Sequence, residues 1–153
     1  MLILIIKGGL FAVLLILAAV WDIRKREIPD SVSLLILITG ILAIKPLDAF
    51  MGLVLTGLPY FLAAIIIQKD NGFSVGGGDI KLMAGAGLLL GWEATILAFF
   101  IGCVLAAIIH PVRMRISHLN RILAFGPYLS VGIVIALLFG KQMVDWYLQT
   151  FFI

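Results

Sequence analysis

Residues Ala94–Ile109 read ATILAFFIGCVLAAII, an uninterrupted apolar run that carries no charge. Similar runs of roughly 14 to 20 residues recur along the whole chain between short polar breaks, so the hydrocarbon of a bilayer must serve as solvent. The 153 residues are 63% hydrophobic and 12% charged. An ordinary globular domain is about a quarter charged, and a soluble core could not use this much apolar surface. The expected class is an all-α polytopic membrane protein of about six transmembrane helices, forming a single domain over residues 1–153 with no repeat, linker or soluble module.

Working outward from Ala94, the turn Gly91-Trp92-Glu93 separates this span from Ile80–Leu90, which is too short to cross alone. At ~1.5 Å per residue it covers about 17 Å of a core about 30 Å thick. Either the helix starts inside the boundary or the preceding loop, Gln68 to Gly78 with its run Gly76-Gly77-Gly78, dips in. Irregular backbone is tolerated there only against protein or a wet cavity, so Asp79 is expected at a recessed, partly hydrated position. Earlier spans are expected over Leu2–Trp21, from Pro29–Ser31 to Ile44, and over Ala49–Ile67, with Pro59 kinking the third. After Ile109 a basic loop should run from His110 through Arg113, Arg115 and His118 to Arg121, followed by a last span over Ile122–Phe139 and an interfacial aromatic tail from Lys141. The first span lacks a basic n-region and a small-residue cleavage pattern, and reads as a retained helix.

The net charge of +3 is no nucleic-acid signature, because the basic residues lie between apolar spans, where they report topology. The loops after spans 1, 3 and 5 hold Arg24, Lys25, Arg26, Lys69, Lys81, Arg113, Arg115 and Arg121, leaving only Lys7, Lys45 and Lys141 elsewhere. The positive-inside bias then puts those loops in the cytoplasm and both termini outside. Asp22 and Asp79 share the cytoplasmic face. Cys103, the only cysteine, excludes an internal disulfide and a Cys-x-x-Cys zinc site, and packing explains it, as boundary placement explains His110 and His118.

Ionisable groups at membrane depth are costly and mark function, but the acids must be sorted by position. Asp48, Glu93 and Asp145 fall on the opposite face and read as caps or solvated charges; Glu27 and Asp70 read as loop charges. Asp22 alone could be a boundary charge balanced by Arg24 to Arg26, and Asp79 alone an N-cap. Their combination points further: a glycine run directly before an Asp, on a truncated helix, on the same face as a second boundary Asp. Glycine lets a substrate strand approach closely. Two neighbouring carboxylates can share a proton, one activating water while the other protonates a peptide carbonyl or leaving amine. Such chemistry needs no metal or cofactor.

Three segments, Asp22-Ile23-Arg24-Lys25-Arg26-Glu27-Ile28-Pro29, Gly76-Gly77-Gly78-Asp79-Ile80-Lys81-Leu82 and Phe125-Gly126-Pro127-Tyr128, together resemble the type IV prepilin peptidases, GxGD aspartyl proteases that trim leader peptides from pilin and archaellin precursors. The resemblance covers essentially the whole chain. It implies Asp22 and Asp79 as the catalytic pair, Gly76 and Gly78 shaping a substrate-binding loop, Lys81 beside it, and no cofactor. It also implies a prepilin-like precursor as protein partner, cleaved after glycine at the cytoplasmic face of the cell membrane. Asp30 stands where Asn is expected after Ile-Pro. Longer bacterial members add an N-terminal region with paired cysteines and an N-methyltransferase activity; Cys103 alone cannot supply that zinc site, and methylation is not expected.

The substrate groove is expected between spans 1 and 4, where Ala84, Gly85, Ala86 and Gly87 permit close helix approach. Helix dipoles favour Asp79 as the ionised base and disfavour Asp22, although Arg24 to Arg26 act the other way. Lys81 could read an acidic residue of the substrate, tune Asp79 or mark the boundary. The alternatives are another GxGD protease of the presenilin type, which would want a Tyr-Asp where this chain has Trp21-Asp22; a small proton-coupled transporter, which would need acids open to both faces; and an inactive assembly partner.

Overall fold

The computed structural model describes residues 2–25, 27–41, 46–59, 61–62, 68–69, 72–73, 76–117 and 124–151. Helix α1 spans Leu2–Lys25, α2 Asp30–Ile41 and α3 Pro46–Gly52, the last running on as a π-helical stretch over Leu53–Gly57; α4 covers Gly77–Leu90, α5 Trp92–Ser117 and α6 Gly126–Phe151. Between α3 and α4, β1 (Gln68–Lys69) pairs antiparallel with β2 (Gly72–Phe73), Gln68 facing Phe73. The all-α expectation therefore holds except for this small ladder, in which loop backbone groups satisfy one another. Lys45, Asp70, Asn71, Arg26, His118, Arg121 and the expected end of the third span lie outside the described residues.

Two stretches, Trp92–Arg115 and Gly126–Phe151, are long and apolar enough to cross a membrane among the described residues. Ile6, Leu10, Val13 and Ile16 on α1, Ile96, Phe100 and Ile108 on α5, and Val131, Leu138 and Phe139 on α6 all face outward. Water-soluble monomers rarely expose so continuous an apolar surface, and the chain is a membrane protein.

Several boundaries differ from those expected. The polar stretch after Ile109 is no loop as far as Ser117: α5 continues through Pro111 and carries Arg113 and Arg115 on exposed turns. Arginine is a good helix former, and long basic side chains can leave the apolar layer without ending the helix. The last helix begins at Gly126 rather than Ile122 and absorbs the aromatic tail through Phe151, where Tyr147 and Phe151 stack one turn apart with ring centroids 5.0 Å from each other. The third span opens at Pro46, and a π-helical stretch over Leu53–Gly57 lies just before Pro59, the position at which a kink was expected.

Helix α4 is the axis of the molecule, packed against α2, α3, α5 and α6, while α1 packs against α2 and α6. Small residues make this possible. A Cβ on Gly52 would collide with the backbone carbonyl of Gly87, and one on Gly40 would come within 2.7 Å of Leu88 Cβ, so α3 and α2 touch α4 almost backbone to backbone. Thr56 closes the α3 contact, its hydroxyl donating to Gly52 O at 2.6 Å and lying 3.2 Å from Met83 O. Leu82, Met83, Ala86 and Leu89 of α4 then meet Phe11, Leu15, Ile36, Leu129 and Ile133 in one buried core. At Gly91 the chain reverses with φ +79°, a left-handed conformation that glycine adopts without strain, and α5 starts at once.

Candidate active site

A cleft of about 290 Å³ opens at the N-terminal end of α4, lined by Asp22, Glu27, Ile28, Asp30, Gly76, Gly77, Gly78, Asp79 and Lys81. The five residues singled out from the sequence, Asp22, Gly76, Gly78, Asp79 and Lys81, are all on its wall.

Asp22 stands in the last turn of α1, 7% exposed, beyond the apolar segment that ends at Trp21. Its Oδ2 accepts a hydrogen bond from the backbone N–H of Gly126, at 2.9 Å and away from solvent. The donor comes from the first residue of α6, so Asp22 is tied to the far end of the sequence. Burial raises the Asp22 carboxyl above its ordinary range, and the Gly126 N–H pulls it back down.

Asp79 precedes the apolar stretch that begins at Ile80. It is not an N-cap: Gly76, in extended conformation, caps α4, no side chain caps the helix, and Asp79 sits in its first turn. The N–H groups of Asp79 and Ile80 both turn to Gly76 O, at 3.0 and 3.4 Å, so the Asp79 carboxylate is not spent on its own helix end and remains on the cleft wall. Burial, and after it the charge of Asp22, push Asp79 up to about 7. The two carboxyls therefore sense each other across the cleft.

The glycine run divides its labour. Gly77 and Gly78 are helical rather than loop residues. A Cβ on Gly78 would lie 2.9 Å from the Ile28 side chain, so this glycine lets the start of α4 close against the segment joining α1 to α2, bringing Asp79 towards Asp22. Gly76 is exposed, and a Cβ there would reach Asp79 Oδ2 at 3.2 Å, crowding the carboxylate itself. Lys81 pairs with Asp30 across the cleft mouth; the Asp in place of Asn thus finds a cation as well as starting α2. Both partners are substantially exposed, and a surface pair of this kind contributes at most about 1 kcal/mol. No three His, Cys, Asp or Glu side chains are grouped to hold a metal ion among the described residues.

Gly126 is the participant that reasoning along the sequence left without a role. Its motif Phe125-Gly126-Pro127-Tyr128 was conspicuous, but nothing in the order of residues reveals a backbone donor meeting a side chain more than a hundred positions away.

The profile of the type IV leader peptidase family matches residues 9–110, a stretch that includes both carboxylates. The chain is 35% identical over 142 residues to the prepilin leader peptidase/N-methyltransferase of Aeromonas salmonicida, covering 84% of this chain and 47% of that protein. It is 31% identical over 143 residues to the protein of that name from Bacillus subtilis, covering 91% of this chain and 58% of the relative. With the Pseudomonas aeruginosa protein the figures are 30% over 158 residues, 95% and 52%. The chain spans about half the length of these curated relatives, and no solved structure matches it. Matched over most of its described helices and over both carboxylates of the cleft, this chain belongs to the type IV leader peptidase family.

Proposed function

We propose that this protein is a membrane aspartyl endopeptidase that removes the leader peptide from type IV prepilin-like precursors, cutting after glycine at the cytoplasmic boundary of the cell membrane. The observation that carries the reading is the convergence of Asp22, from the end of α1, and Asp79, from the start of α4, on one recessed cleft. Family membership and the relatives named above support the same activity. The chain is read as six spans with both termini outside; Arg24 and Lys25, exposed beside Asp22, support a cytoplasmic cleft under the positive-inside rule.

In this mechanism the precursor lays its apolar helix against the bundle and its junction peptide in the cleft, Gly76 and Gly78 leaving room for an extended backbone and Lys81 standing at the mouth. Asp22 is the base and Asp79 the acid. That reverses the division suggested by helix dipoles alone: a hydrogen bond to a carboxylate favours its ionised form, and Asp22 receives one from Gly126, whereas Asp79 is the more strongly raised by burial and by Asp22. Asp22 takes a proton from water as the water oxygen bonds to the scissile carbonyl carbon, and Asp79 gives its proton to the carbonyl oxygen. On collapse Asp22 passes its proton to the leaving nitrogen, Asp79 recovers one from the diol, and the C–N bond breaks. The pair titrates as a unit, with one proton held between two carboxyls in the active state.

The test incubates the purified protein in lipid vesicles with a pilin-like precursor and follows leader release. Cleavage by the wild type and none by Asp22→Asn or Asp79→Asn is expected; full activity in either variant would sink the two-aspartate mechanism.

A further inference from the structure

We infer that the Gly126-Pro127 pair at the start of α6 is a one-donor clamp that positions Asp22, holding one carboxylate oxygen and leaving the other free for the attacking water. The inference rests on the reading of Asp22 as base and assigns to the third sequence motif a role in the reaction.

The first turn of any helix offers N–H groups with no partner in the helix. In α6 they are disposed of one at a time. Tyr128 and Leu129 both donate to Phe125 O, at 3.1 Å each. Pro127 has no N–H. The remaining donor of the turn is Gly126, and it points at Asp22 Oδ2. An Asp seated at an ordinary helix start can collect two backbone donors; here proline in the second position restricts it to one. The helix dipole adds positive potential at the same spot.

Position 126 also has to be glycine. A Cβ there would lie 2.7 Å from Asp22 Oδ2, 3.1 Å from its Cγ and 3.2 Å from its Cβ, contacts that could be relieved only by moving the carboxylate. The clamp itself is anchored from outside: the Phe125 ring meets Phe99 of α5 edge to face, with centroids 6.4 Å apart, and Leu129 one turn on is fully buried. A rigid donor on a packed helix end can hold a carboxylate to one rotamer in a way that a flexible side chain cannot.

The other charged groups around Asp22 come from different elements. Asp79 and Lys81 line the cleft from α4, with Glu27 and Asp30 from the α1–α2 junction; Arg24 and Lys25 follow on the last turn of α1 itself, and Tyr128 is the nearest titratable residue along α6. None of them is altered by changing Gly126 or Pro127, so the effects of the clamp can be read separately.

The experiment measures leader release from a pilin-like precursor by the full chain in lipid vesicles, across pH, for wild type, Gly126→Ala, Pro127→Ala and Asp22→Asn. Gly126→Ala should lower kcat by about 10²-fold while KM changes by less than about threefold, with a thermal unfolding midpoint close to that of wild type, since a misfolded fraction would also lower kcat at constant KM. Pro127→Ala restores a second N–H without adding bulk beside Asp22, and should move the acidic limb of kcat/KM down by about one pH unit. This variant keeps the question decidable if Gly126→Ala does not fold. An acidic limb in Pro127→Ala at the wild-type pH, with Asp22→Asn inactive, overturns the clamp and leaves the two-aspartate reading standing; an active Asp22→Asn removes the reading on which it rests.

Discussion

The two ends of α4 carry clefts of similar chemistry and different meaning. At its N-terminal end Asp22, Glu27, Asp30, Asp79 and Lys81 surround about 290 Å³. At its C-terminal end Glu93, Lys141 and Asp145 line a larger space of about 500 Å³ beside Gly91 and Trp92. Each has carboxylates and one lysine, and the larger space is not the one with the recessed acids, so neither composition nor size by itself marks a site. What differs is how the acids are held. Glu93, Lys141 and Asp145 are all exposed at helix surfaces, whereas Asp22 is buried with a backbone donor on one oxygen and Asp79 is recessed beside it. A carboxylate becomes useful for acid–base chemistry when its surroundings, rather than bulk water, set its protonation. Between the two clefts Leu82, Met83, Ala86, Leu88 and Leu89 of α4 are buried, and from Leu82 to Leu90 the helix carries no ionisable side chain, which speaks against the transporter alternative.

The largest expected effect sharpens this contrast directly. Asp22→Asn or Asp79→Asn should reduce the initial rate of leader release by about 10³-fold or more, while Glu93→Gln and Asp145→Asn should stay within about twofold of wild type. Comparable losses at both ends would erase the distinction. A smaller effect probes how the near cleft is built. Gly78→Ala forces a methyl against Ile28, overpacking that typically costs about 1–3 kcal/mol; thermal unfolding in detergent should fall accordingly and cleavage should weaken as Asp79 is pushed from Asp22. An unchanged melting temperature and rate would mean that the close approach of α4 to the α1–α2 junction does not matter. The smallest effect belongs to the exposed pair at the mouth. Lys81→Gln removes the ion pair with Asp30 and should cost no more than about 1 kcal/mol of stability, with any larger change appearing in precursor preference, read as a change in kcat/KM between substrates with and without an acidic residue near the junction.

Much of this arrangement was legible in the sequence because it is local. The apolar runs mark the helices, the short stretch after Gly78 places Asp79 at a helix start, and the order of charges puts Asp22 on the same side. The small residues of α4 announced close helix contacts but not their partners: expected to admit α1, Gly85 and Gly87 instead lie against Ile36 of α2 and Gly52 of α3. Helix ends were harder, since Pro111 and the basic residues after it look like a loop in one dimension yet continue α5 in three, and Gly77 and Gly78, poor helix formers, are nonetheless helical, Gly78 being closed against Ile28. The roles proposed for the two acids were hardest. Local dipoles point to Asp79 as base, but burial and a donor contributed by α6 act on the two acids through space, and no spacing along the chain encodes them.

Whether the two carboxyls share one site is measured most directly by isotope-edited infrared titration of Asp79 in vesicles. In the wild type Asp79 should titrate at about 7, far above the usual carboxylate range, so that its protonated, proton-donating form is lost as the pH rises through that value. In Asp22→Asn the neighbouring charge is gone and only burial remains, and the same titration should move to lower pH. An Asp79 that titrates at the same pH in both proteins would contradict a shared site.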